Sequence, residues 1–185
     1  QLLRWSVDAM MILMLSQRQG TWCIQDMSEL LEINIDVIRG WLRTFSEMRC
    51  GVAYDQNIVT FLRTFTICDC VFISKTLGLD ASNFSAFLVI DSTQSHCLRH
   101  IHDKDLEFCY AEHQYLGKGR RSNRWSSSLA SSILFSYKTT VSKYELTSVF
   151  SLCLALGIVQ TLKSMYVDVE LTVKWPNDIL LSGHK

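Results

Sequence analysis

Apolar residues change their spacing near Ser85, and that change restricts the chain to a helical module joined to a mixed α/β one. Before it, helical spacing dominates. Leu2, Leu3, Trp5, Met10, Ile12, Leu13 and Leu15 predict a mostly buried helix over 2–16, closed by the polar run 16–20. Ile24, Met27, Leu30 and Leu31 predict a second helix over 24–32. Asn34 is placed to cap a third, which turns Val37, Ile38, Trp41, Leu42 and Phe45 inward. Strand-like residues 51–54 and 58–62, parted by Asp55-Gln56-Asn57, predict a hairpin or wing.

After Ser85 the pattern is that of strands and crossover helices. Residues 86–90, AFLVI, read as a buried strand ended by Asp91-Ser92-Thr93, which can cap a helix over 93–102. Strands over 106–113 and 132–138, an apolar helix over 143–165, and a strand over 169–175 follow. Pro176-Asn177-Asp178 then turns the chain into a further strand at 179–181. The predicted fold class is α/β (α+β): a helix-turn-helix domain over 1–65, a linker over 66–82, and a mixed-sheet domain from 83 to 185.

Between two of these strands lies QYLGKGRRSNRW, residues 114–125, which gathers Lys118, Arg120, Arg121 and Arg124 in a chain of zero net charge. Gly117 and Gly119 let backbone amides approach a ligand closely, and the cations suit a phosphate-bearing one. A solvated basic surface loop is the plainer alternative. This loop and the KWPND stretch, 174–178, both fall at strand ends, where ligand sites of α/β domains gather.

Composition excludes several classes. With 48% hydrophobic residues in 185, a sizeable core can form. No uncharged run reaches the about 18 residues of a membrane span. Seven cysteines, an odd number with Cys68 and Cys70 as the close pair, suggest neither a disulfide framework nor a CxxC site, so a reducing cytoplasm fits best. His96 and His100 share a helix face, but no carboxylate or cysteine sits at ligand spacing, and no metal ligand is assigned.

The helix-turn-helix would present Asn34, Asp36, Arg39 and Arg43 to a DNA groove. Residues 1–70 hold six basic against eight acidic side chains, a net charge of −2, which argues against tight DNA binding. A helical module that packs, or forms a homodimer, without reading DNA is the equal alternative.

The order IDST (90–93), AEHQYLGKGRRSNRW (111–125) and KWPND (174–178), behind a helix-turn-helix, resembles biotin protein ligases of the bifunctional ligase and repressor type. The likeness is strongest over about 85–182, and over 1–65 it rests on architecture. It implies a winged helix-turn-helix followed by a biotin/lipoate ligase-like catalytic domain. It also implies an enzyme that joins biotin to AMP using ATP and Mg²⁺, then passes the biotinoyl group to a lysine of a biotin carboxyl carrier protein.

Carried over by motif, Ser92, Thr93, Gln94 and Gln114 would contact biotin, as would Lys118, Gly119, Arg120 and Lys174; Lys118, Gly119 and Arg120 would also close over the adenylate with Gly117, Arg121, Trp125 and Asn177; Lys174, with Arg120, would serve the reacting carboxylate and α-phosphate. A lipoate-type acyltransferase, which shares the fold and a strand-end lysine, and a DNA-binding regulator alone are the alternatives. Where the family loop reads GRGRRGR, this one reads GKGRRSN, so Lys118 lacks the arginine fork and Ser122 and Asn123 replace a glycine and an arginine. Ile35 and Gly40 stand where repressor members carry basic side chains. Family members also continue beyond the position of Lys185, so the expectation is a fragment or a natural truncation of weak activity.

Overall fold

The computed structural model describes residues 3–4, 7–18, 20–48, 50–80, 82–103, 106–119, 121, 123–139, 148–166 and 168–184. They form two compact units, 1–138 and 139–185.

The first unit opens with β1 (Leu3–Arg4), α1 (Val7–Met14) and a 3₁₀ turn (Leu15–Gln17), followed by β2 (Thr21–Cys23), α2 (Ile24–Leu31) and α3 (Ile35–Glu47). Next come β3 (Val52–Asp55) and β4 (Ile58–Phe61). Glu32, in the left-handed region at φ 56°, ends α2, and Asn34 starts α3 by accepting the Asp36 N–H at 2.8 Å. Ile38, Leu42 and Phe45 recur along one face of α3 and are fully buried. β3 and β4 make the expected hairpin, and β2 joins it as a third strand, order β2-β4-β3. At three residues, β2 was too short to leave a periodic signal in the sequence.

Two expectations need correcting here. Residues 3–4, read as the start of a helix, lie in a strand paired antiparallel with residues 87–89; residues 2 and 5 fall outside the described residues. Residues 66–82, read as a linker, contain a short helix, α4 (Cys70–Thr76), capped by Asp69, whose carboxylate accepts the Phe72 N–H at 2.9 Å. No propensity run announced it; its buried residue is Cys70, packed with Phe108 and Tyr110.

The central sheet comprises β5 (Phe84–Ile90), β6 (Phe108–Gln114) and β9 (Leu134–Tyr137), with β1 at its edge, order β1-β5-β6-β9. Between β5 and β6 runs α5 (Thr93–Arg99), and between β6 and β9 lies a small hairpin of β7 (Gly117–Lys118) and β8 (Arg124–Trp125). β5 and β6 are parallel, as a helical crossover requires, and the other pairs are antiparallel. Phe84, Phe108 and Phe135 stack across the three strands, with ring centroids 5.2 Å apart at each step.

One hydrophobic cluster runs from Ile12, Met27, Leu42 and Phe45 to Leu88 and Val89 of β5, so the helical module and the sheet share a core. Ser16 Oγ accepts the Phe65 N–H at 2.8 Å inside it. The segment after β4 crosses the sheet, where the Cys68 N–H donates to the buried Glu112 carboxylate at 3.0 Å.

The second unit contains α6 (Ser148–Met165) and an antiparallel pair, β10 (Leu171–Lys174) and β11 (Asp178–Leu181), against which α6 packs. The helix expected over 143–165 is described from Ser148; residues 140–147 lie outside the described residues. All seven cysteines are free: Cys23 and Cys153 are exposed, Cys68 is half-buried, and Cys50, Cys70, Cys97 and Cys109 are buried. No described helix is long and apolar enough to cross a membrane.

Candidate functional site

The strand β5 ends at Ile90, and the next three residues turn sharply into α5. Ser92 is the N-cap, buried, with its hydroxyl accepting the Ser95 N–H at 3.3 Å. Thr93, also buried, donates its backbone N–H to Gln114 Oε1 at 2.7 Å and its hydroxyl to the same atom at 3.1 Å. Ser136 Oγ, on β9, lies 2.9 Å from Thr93 Oγ1. Because the Thr93 hydroxyl has one proton and gives it to Gln114, Ser136 is the donor in that last contact. Ser92, Thr93 and Gln114 are thus brought together, while Gln94 sits exposed on the first turn of α5.

After Gln114 the chain folds back on the end of β5. The Tyr115 N–H donates to the Ile90 carbonyl at 3.1 Å and the Leu116 N–H to the Asp91 carbonyl at 2.8 Å. Gly117 and Lys118 then pair with Trp125 and Arg124, and the Gly119 N–H closes the hairpin on the Asn123 carbonyl at 2.8 Å. A Cβ on Gly117 would stand 2.5 Å from the Trp125 carbonyl oxygen, so only glycine fits there. Lys118, Arg121, Arg124 and Trp125 are exposed around the hairpin, with Arg121 in the left-handed region at φ 54°. Arg120 lies outside the described residues.

Asp91, Ser95, Leu98, Arg99, Leu116 and Lys118 line an open cleft of about 410 Å³ beside this hairpin. Across it Arg99 grips Asp91 with two hydrogen bonds, 2.6 and 3.0 Å, which hold the Asp91 carboxyl down at about 2. Burial pushes the Glu112 carboxyl up and the His113 imidazole toward its neutral form. The His96 ring meets Phe87 edge-on at 4.9 Å and lies 4.4 Å from His100, whose Nδ1 is 2.9 Å from the His96 carbonyl.

Residues 86–185 match the biotin/lipoate A/B protein ligase family. The chain belongs to this family. The family resemblance read in the motifs is borne out. The bifunctional ligase/repressor BirA of Salmonella typhimurium (strain LT2) and that of Escherichia coli (strain K12) are each 33% identical to it over 110 residues, 58% of this chain and 34% of theirs. The match therefore spans about a third of those relatives. Among solved structures, the Helicobacter pylori biotin acetyl coenzyme A carboxylase synthetase with bound biotinylated ATP is 22% identical, with a TM-score of 0.40 over 53% of this chain and 48% of that one. The Aquifex aeolicus biotin protein ligase in complex with biotin and ATP is 24% identical, with a TM-score of 0.40 over 52% and 40%.

In the second unit, Lys174 ends β10, exposed and in register with Asp178, and Asn177 lies in the turn that follows a cis Trp175-Pro176 bond. Among the DNA-facing candidates, Asn34 is spent on capping α3, and Arg39 donates to Asp36 at 3.5 Å and to Asn57 of the β3–β4 turn at 3.2 Å; Arg43 is exposed. Sequence reasoning missed Ser136, Asp91, Arg99 and Glu112. For Ser136 the signal was present, a small polar residue alternating with Leu134, Phe135 and Tyr137 in a strand that leaves the glycine-rich loop.

Proposed function

We propose that this chain carries the adenylate-forming part of a biotin protein ligase acting in the cytoplasm, with MgATP and biotin as substrates. A biotin carboxylate oxygen attacks the α-phosphorus, pyrophosphate leaves, and the lysine amine of a biotin carboxyl carrier protein then displaces AMP from the mixed anhydride. The observation that carries this reading is the Thr93, Gln114 and Ser136 hydrogen-bond chain beside the Gly117 approach. With Oε1 already occupied, Gln114 offers its amide N–H groups, and the hydroxyls of Ser92 and Ser136 keep acceptor capacity, a set that suits a cyclic urea of N–H donors and one carbonyl.

Two anions must meet in the first step. Lys118 and Arg121 of the hairpin, with Arg120 by motif, would cancel that repulsion and stabilise charge spread over phosphorus in the transition state, and Lys174 is carried over to the reacting carboxylate and α-phosphate by motif alone. Gly117, Gly119 and Trp125 would shape the cover that keeps water from the anhydride, and Asn177 is carried over to the adenylate by motif alone. Mg²⁺ would enter on the ATP phosphates, keeping several waters.

Biotin-dependent exchange of labelled pyrophosphate into ATP, with Lys174→Ala as control, tests the proposal. Exchange above the control supports it; lipoate in place of biotin as the activated acid would move the reading to the acyltransferase relatives. A second reading, a winged helix-turn-helix that regulates transcription, draws on the α2–α3 turn and the β3–β4 wing. Absence of a salt-sensitive shift of operator DNA would sink that one.

A further inference from the structure

Arg99 lies outside every motif that carries the ligand-binding reading, yet its pairing with Asp91 of the 90–93 motif joins the two arms of the site. Asp91 immediately precedes Ser92 and Thr93, and its carbonyl holds the Leu116 N–H one residue before Gly117. Its carboxylate is taken in a two-pronged grip by Arg99, the last residue of α5. α5 is only seven residues long, and its N-cap bond from Ser95 to Ser92 is long at 3.3 Å. A helix this short does not hold its own ends in water. The guanidinium clips the far end of α5 back onto the turn that begins it, so the helix, the Ser92–Thr93 turn and the entry to the hairpin move as one piece.

We infer that Arg99 is a positioning residue for the ligand-binding elbow 91–93 and the hairpin 117–125, acting through Asp91 rather than on ligand. The inference rests on the proposed reading for what the elbow binds, but the clip itself does not. Lys118 lines the same cleft. Lysine at position 99 can supply the charge but not the planar fork that meets both carboxylate oxygens. The grip also holds the Asp91 carboxyl well below the ordinary carboxylate range, so a titration reads directly whether the pair is formed.

The experiment uses the 185-residue chain without ligand. Amide hydrogen exchange and carboxyl titration by NMR are followed in the wild type, Arg99→Gln, Arg99→Lys and the charge-reversed double variant Asp91→Arg/Arg99→Asp. In Arg99→Gln, exchange at the Leu116 and Thr93 amides should rise at least tenfold while Cys109 and Tyr110, inside the sheet, keep their rates, and the Asp91 titration should move up to the ordinary range. Arg99→Lys should restore part of the protection and the reversed pair most of it. Equal acceleration of all amides in the unit, or unchanged exchange at Leu116, overturns the inference. If Arg99→Gln fails to fold, Arg99→Lys and Asp91→Asn give the same reading. Failure of every variant, wild type included, to bind biotin would count against the proposed function and leave the clip standing.

Discussion

Gln114, the last residue of β6, accepts both the backbone and the hydroxyl proton of Thr93, the first residue of α5. One oxygen therefore fixes where a strand ends and where the next helix begins. Thr93→Val keeps the backbone bond and the side-chain shape but removes the hydroxyl and strands the Ser136 proton. Biotin affinity should fall about tenfold, the ~1.4 kcal/mol of one net hydrogen bond. Calorimetric titration of biotin measures it, and unchanged affinity would remove Thr93 from the site.

Gly117→Ala forces a Cβ against the Trp125 carbonyl. The hairpin should open, with Trp125 emission shifting and adenylate formation lost, while the melting temperature of the unit changes little because the hairpin lies at its surface. Emission with and without MgATP, in a background where Trp125 is the one tryptophan kept of five, checks this.

The buried Glu112 carboxyl is pushed upward by desolvation. Its folded state therefore holds a proton at pH values where the unfolded chain, near pKa 4.3, has lost it, so the wild type loses stability as pH rises from about 4 through the folded value. Glu112→Gln keeps an acceptor for the Cys68 N–H and carries no proton to lose. The Tm advantage of Glu112→Gln over wild type should grow as pH rises from about 4 through the folded value and then level off. A Tm difference that is flat with pH would contradict the assignment.

Leu42 is fully buried in the cluster that also holds Leu88 and Val89 of β5. Leu42→Ala should cost about 2–5 kcal/mol. Because the core is shared, far-UV signal from the helices and Trp125 emission beside the sheet should be lost in one transition. Two separate transitions in a urea titration would show that the helical module unfolds alone.

Hydrophobic spacing made most of this fold legible. The α2 and α3 stripes, the 86–90 run and the Asn34 cap each announced themselves in a few residues. What spacing could not show were elements defined by a partner distant in sequence: β1 exists because Leu3 meets Val89, and β2 because Trp22 meets Val59. The same divide runs through the site. Thr93 and Gln114 were found as motif positions, whereas Ser136 belongs with them only because β9 lies beside β6, and Arg99 only because α5 is short enough to reach back to Asp91. The reading of Arg39 as a groove contact overlooked Asn57, eighteen residues away, which holds it in the structure.

The distribution of free thiols turns the chain into its own reporter. Cys23 in the first unit and Cys153 in the second are exposed. With Cys68 replaced by serine, two dyes of different colour would attach at those two points and leave the buried sulfurs untouched. The emission of each dye then gauges, unit by unit, how the surface around it responds as biotin and MgATP are added.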